Sequence, residues 1–375
     1  MQIPEQFLTN QAFQHDLIGF DDRLPVRAGT REAPVSIPKG AEVLPDGTVK
    51  LSFYAPKASE VTATNFKKSV SLTKDAQGLW TGELKYDEPG FKQLQFAVDG
   101  NPVLNYMAPI GFGSSHPINY VEVPDTDCDF LLLKDVPHGS VTREFFRSKV
   151  TGQYESCLVY TPPCYHQSTR SYPVLYLQHG GGENENSWIF QGKTNFIMDN
   201  LLAEGKAEPC LIVMCCGMVQ VPDENGVRHV DYDRFNEMLV DEVIPFIEGR
   251  YRVAGGKWNR AYAGLSMGSL ECGQLILHNF DVFGAAGLFT GFLYPSKPVE
   301  DFDPAPFQDA EKFNSAYKVF FRAMGDQETS IPLFAHERKL CQQYGIHTVE
   351  KIYPGEHEWR VWRNALHDFL QLIFK

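Results

Sequence analysis

The chain has 375 residues, 43% hydrophobic and 22% charged, with 34 Lys and Arg against 47 Asp and Glu, a formal net charge of −13. One core stops growing at roughly 250–300 residues, so this length implies two domains, and the composition excludes a disordered or fibrous chain. The acidity argues against a nucleic-acid partner or an anionic membrane surface and suits an enzyme acting on neutral or weakly charged small substrates.

The first twenty residues carry no basic start followed by an apolar run, so a secretory signal is not expected. The most apolar stretch, 211–216, is too short to span a bilayer. Eight scattered cysteines form no C-x-x-C pair and no metal-ligand spacing, which points to a reduced, cytoplasmic setting with no metal. A leader already removed from a secreted protein would leave the same sequence. Residues 1–35 show no clear period and are read as an N-terminal arm. From 36 to 123 the chain reads as β, with short alternating segments at 48–54, 61–64, 69–72, 79–84 and 92–98. Turn signals separate them, among them Pro45-Asp-Gly47 and Glu88-Pro-Gly90. That spacing predicts a small immunoglobulin-like β-sandwich. Residues 124–140 are an acidic, proline-containing connector. Beyond it, in 141–375, apolar strands at 157–160, 174–177, 211–214, 260–263, 319–322 and 348–353 alternate with helical patterns. The helices are expected at 195–204, 234–250, 270–279, 333–344 and 359–374. This alternation predicts an α/β fold whose sheet is covered by helices on both faces.

Within that region Gly264-Leu-Ser-Met-Gly268 matches G-x-S-x-G, with a strand before it and a helix after it. Such a strand–turn–helix setting is what a nucleophile elbow requires, and it makes Ser266 the candidate nucleophile rather than an idle serine in a glycine turn. In α/β-hydrolases the order is Ser, then Asp or Glu, then His, which leaves five downstream histidines. His278, His336 and His367 fall in helical patterns, and His347 precedes the last strand. His357 follows Pro354-Gly-Glu356 after that strand and is the expected base. Asp326, after the strand at 319–322, is the expected acid that orients the base. Glu328, two residues on, is the alternative, and either could instead cap the next helix. The oxyanion hole needs two backbone donors: Met267 N–H, next to the nucleophile, and Gly181 N–H in Gln178-His-Gly-Gly-Gly182. No cofactor motif is present.

These residues carry a resemblance. Pro137-His-Gly139, Tyr172-Pro-Val-Leu-Tyr-Leu-Gln-His-Gly180, Gly264–Gly268 and the ending His357-Glu-Trp-Arg-Val-Trp-Arg363 resemble the feruloyl esterases of carbohydrate esterase family one, relatives of enterochelin esterases. The likeness runs over 137–375. It implies an α/β-hydrolase fold and a serine esterase cleaving hydroxycinnamoyl esters of plant-cell-wall saccharides, and its H-x-W-x-x-W-R ending implies that His357 is catalytic. Trp188 and Trp359 are expected near the active centre as acyl- or sugar-binding residues, with Trp362 in the core. The first domain is similar to a family 48 carbohydrate-binding-like module, on which Trp80, Phe66 and Tyr106 could stack on sugars. The segments 219–235 and 291–313 are expected to form the rim of the acyl pocket. An acetyl-sugar esterase, a siderophore trilactone esterase and a non-catalytic glycan-binding protein stay as alternatives, and a homodimer is left open. The expected partner is a small-molecule or oligosaccharide ester.

Overall fold

The computed structural model describes residues 2–9, 17–19, 35–293 and 305–375. The chain divides into two compact units, Met1–Leu133 and Lys134–Lys375, and the division falls inside the 124–140 connector. Most of the 1–35 arm, and residues 294–304 of the expected rim segment 291–313, lie outside the described residues.

In the first unit the alternating segments form two antiparallel sheets. One orders Ala41–Val43, Thr48–Tyr54, Leu79–Lys85 and Thr73–Lys74; the other orders Ile110–Gly113, His116–Val123, Gly90–Val98, Val61–Thr64 and Ser69–Ser71, with Asn101–Val103 beside Gly90–Val98. Val49, Leu51 and Phe53 are buried with Trp80, Leu94 and Phe96, while Lys50 between them is exposed, so the period of two builds a core. Trp80 is part of that core and its indole N–H donates to Ala55 O, so it is not a surface stacking residue. Phe66 and Tyr106 are exposed.

In the second unit eight strands form one sheet: β1 Ser140–Arg147, β2 Tyr154–Thr161, β3 Val174–Gln178, β4 Leu211–Cys215, β5 Arg260–Leu265, β6 Ala285–Phe289, β7 Val319–Gly325 and β8 Val349–Tyr353. Their order is β1-β2-β4-β3-β5-β6-β7-β8. The first two strands pair antiparallel and all pairs from β4 to β8 are parallel. Every residue of β3, β4 and β6 is buried, as a parallel sheet covered on both faces demands. Five main helices flank it: α1 Thr194–Ala203, α2 spanning 234–250, α3 Met267–His278, α4 Ile331–Gln343 and α5 Trp359–Leu370. The π-turn Leu239–Val243 interrupts α2.

The connection after β3 leads outward to β4, whereas β5 continues on its other side to β6. The loops leaving the carboxyl ends of β3 and β5 therefore diverge and open a crevice, the place where doubly wound sheets bind ligands. Residues 179–183 and Ser266 sit in those two loops.

Candidate active site

Strand β5 ends at Leu265 and α3 begins at Met267, so Ser266 alone makes the turn, with φ 51° and ψ −114°. A side chain rarely tolerates that conformation, and the surroundings must hold it. Ser266 N–H donates to Phe289 O at 3.0 Å, and Ser266 O accepts from the N–H groups of Ser269 and Leu270. The glycines of G-x-S-x-G are steric requirements. A methyl carbon on Gly264 would lie 2.4 Å from the Gly268 backbone, and one on Gly268 2.6 Å from His179 O. The twelve-residue α3 directs its N-terminal N–H groups and positive dipole end at the serine.

His357 lies in the loop between β8 and α5. Ser266 Oγ–H donates to its Nε2 at 2.9 Å, and its Nδ1–H donates to Glu328 Oε2 at 3.1 Å. The histidine side chain is 47% exposed and the glutamate side chain 3%. Ser330 Oγ also donates to Glu328 Oε2, while Oε1 has no protein partner.

Asp326, the expected acid, does not reach the histidine. Its side chain accepts from Gly355 N–H at 3.0 Å, its own N–H donates to Tyr353 O, and Gln327 N–H donates to Gly355 O. Gly325 lies so close to this loop that a methyl carbon there would sit 2.4 Å from Gly355 O. Asp326 thus knits the β7 loop to the β8 loop, and the carboxylate that meets the ring belongs to Glu328, two residues further on and buried.

The loop after β3 brings Gly181 to Met267: a methyl carbon on Gly181 would lie 4.0 Å from Met267 Cβ. His179 is wholly buried. Its Nε2 accepts from Gly217 N–H at 2.9 Å and its Nδ1–H donates to Gly180 O at 2.7 Å, which fixes the tautomer. Burial holds its pKa down at about 4, so the ring is neutral. The Gly180 carbonyl and the Gly181 N–H share one trans peptide, so holding the carbonyl sends the N–H the opposite way. A glycine-rich run signals this loop, but nothing in the spacing reveals that the histidine orients it.

Trp188 and Trp359 are not walls of a substrate slot. They are 1% and 4% exposed, and the Trp188 indole N–H donates to Gln178 O at 2.9 Å. Trp188, Trp359, Trp362 and His357 follow one another edge to face, with centroids 5.2, 5.2 and 5.1 Å apart, and Trp362 Nε1–H donates to Thr290 Oγ1. Arg363, 1% exposed, donates to Gln191 O. The H-x-W-x-x-W-R ending therefore holds its histidine against a packed tryptophan stack and a buried arginine staple. Among the described residues, no group of three or more His, Cys, Asp or Glu is arranged to hold a metal ion.

Comparison with known proteins bears on this geometry. The Esterase family, described as "Putative esterase", matches residues 148–373. An endo-1,4-beta-xylanase/feruloyl esterase of Xylanibacter ruminicola is 34% identical over 340 residues, covering 88% of this chain; the chain spans only 45% of that relative's length. A solved ferulic acid esterase of Anaeromyces mucronatus, in complex with ferulic acid, is 22% identical with a TM-score of 0.56, over 66% of this chain and 95% of that one. The enterobactin esterase of Shigella flexneri is 13% identical with a TM-score of 0.59, over 86% and 92%. The two structures share the fold of this chain.

Proposed function

The chain belongs to the Esterase family, and from that premise we propose that it hydrolyses hydroxycinnamoyl esters of cell-wall saccharides through an acyl-enzyme on Ser266. The observation that carries the mechanism is the unbroken line from Ser266 Oγ to His357 to Glu328 at 2.9 and 3.1 Å. In this reading His357 Nε2 takes the serine proton as Oγ attacks the ester carbonyl. The N–H groups of Met267 and Gly181 receive the charge that develops on the carbonyl oxygen. His357 then gives the proton to the departing sugar oxygen, which leaves as the free hydroxyl while the acyl group stays on Ser266. Water, deprotonated by the same ring, releases the acid and restores the serine. Glu328 holds Nδ1–H, keeps the right tautomer, and stabilises the imidazolium.

The acyl group is proposed from the likeness to the xylanase/feruloyl esterase. The test is a hydrolysis panel of methyl ferulate, methyl p-coumarate, acetylated xylo-oligosaccharide and a catecholate trilactone. Methyl ferulate should give the highest kcat/KM. A preference for the acetyl ester or the trilactone would remove the feruloyl reading and leave the site chemistry standing.

A further inference from the structure

We infer that Glu183 is a positioning residue that clamps the oxyanion-donor loop to the first residue of α5, two places after the catalytic histidine, and this rests on the reading of Ser266 and Gly181 given above. Glu183 is half-buried, and its carboxylate accepts from three donors on three segments. Gly180 N–H reaches Oε2 at 3.1 Å and Gln191 Nε2 reaches Oε1 at 3.3 Å. The third donor is the indole N–H of Trp359, two residues after His357. Gly180 is thereby held at both ends, its N–H by Glu183 and its carbonyl by His179. The Glu183 N–H also donates to Gly180 O at 3.3 Å, closing a turn with Gly182 at φ 75°. In such a turn the N–H that follows the bonded carbonyl faces outward, and here that N–H belongs to Gly181. Gly180 itself packs on the elbow, where a methyl carbon would stand 3.3 Å from Ser266 Cβ.

Once ionised, above about pH 7, where the variants are assayed, the Glu183 carboxylate only accepts, so it can meet three N–H groups at once. A glutamine of the same shape offers one oxygen and sets an N–H₂ against at least one donor. Glu183→Gln should therefore displace the loop without emptying the site. Losing a whole oxyanion donor costs about 10²–10³ in kcat. A displaced donor should cost roughly 10–100-fold, with KM held within threefold.

The experiment measures kcat and KM on a chromogenic ester for the full chain, with every preparation normalised by active-site titration so that misfolded protein does not count. It also measures Ki for an aryl boronic acid, which forms a tetrahedral adduct on the serine. Glu183→Gln should lower kcat by that factor and raise Ki in proportion. Trp359→Phe, which removes one donor and keeps an aromatic ring, should show a smaller loss with the same split. The double variant should be no worse than Glu183→Gln alone. A normalised kcat within threefold of wild type, with only the melting temperature lowered, would overturn the inference, as would a loss confined to KM. Ser266→Ala is assayed alongside: activity retained there would overturn the nucleophile reading itself, a result distinct from any ratio between active variants.

Discussion

Replacing Glu328 by glutamine removes the charge facing His357 and leaves the side chain's shape in place. With Nδ1 3.1 Å from the carboxylate oxygen, the two charge centres stand about 5 Å apart, and at an effective dielectric of about 20 the imidazolium gains roughly 3 kcal/mol. That is a factor of about 10² in rate. The half-exposed ring weakens the pull through solvent screening. An amide N–H₂ turned toward Nδ1 would stabilise the wrong tautomer, which costs about 10⁴ in the comparable aspartate-to-asparagine change of serine proteases. The expected loss in kcat/KM for Glu328→Gln is therefore about 10²–10⁴. Stability should hardly fall, because Glu328 Oε1 has no protein partner to lose. Asp326→Asn retains an oxygen for Gly355 N–H and should stay within about threefold of wild type. Asp326→Ala should lose about 1 kcal/mol of stability with that bond. The assay is kcat/KM on methyl ferulate with thermal unfolding of each variant. An Asp326→Asn enzyme below a hundredth of wild type, beside a Glu328→Gln enzyme keeping more than a tenth, would refute the reasoning.

Ser266→Ala should lower kcat by roughly 10⁵–10⁶, as loss of a triad nucleophile does elsewhere. Ser266→Gly should be as inactive yet melt a few degrees higher than the alanine variant, because glycine is unstrained at φ 51°; equal melting temperatures would show the elbow is not strained. Burial lifts the Glu183 carboxyl from 4.5 to about 7, so the native state holds a proton that the unfolded chain releases between those values. The contribution is full below about pH 4.5 and is lost as pH rises through 7. The melting-temperature gap between wild type and Glu183→Gln should thus be widest near pH 4.5 and narrow by pH 7.5, and calorimetry showing the opposite trend would reject it. Trp188→Ala should cost stability on the scale of about 3–5 kcal/mol and reduce turnover of methyl ferulate and of a small acetyl ester alike. A loss confined to methyl ferulate would show that Trp188 meets the acyl group after all.

What the sequence made legible was what depends on local pattern. Apolar runs marked β3, β4 and β7, amphipathic periods marked all five helices, and three fixed residues marked the elbow. The missed strands lack those patterns. β1 reads Ser-Val-Thr-Arg-Glu-Phe-Phe-Arg and lies at the sheet edge, with Phe146 buried and Phe145 64% exposed, so no continuous apolar run announces it. β6 reads Ala-Ala-Gly-Leu-Phe, and its small residues carry little strand preference although every one is buried. The tryptophans were misassigned because nearness in sequence to His357 says nothing about burial.

The choice between Asp326 and Glu328 turns on where the chain leaves the strand. A carboxylate directly after β7 has its backbone still tied to the neighbouring strand's exit, through Asp326 N–H to Tyr353 O. Its short side chain then finds the nearest amide, Gly355 N–H. Two residues later the chain has turned, and a longer side chain passes behind the histidine to meet Nδ1. Asp326 is thus needed for a different reason. Without its bond to Gly355, the two residues before His357 would lose one of the contacts that set the height of the ring above Ser266. The loops after β3, β5, β7 and β8 each supply one part of the site, and polar bonds tie them in pairs, Gly355 to Asp326 and Trp359 to Glu183.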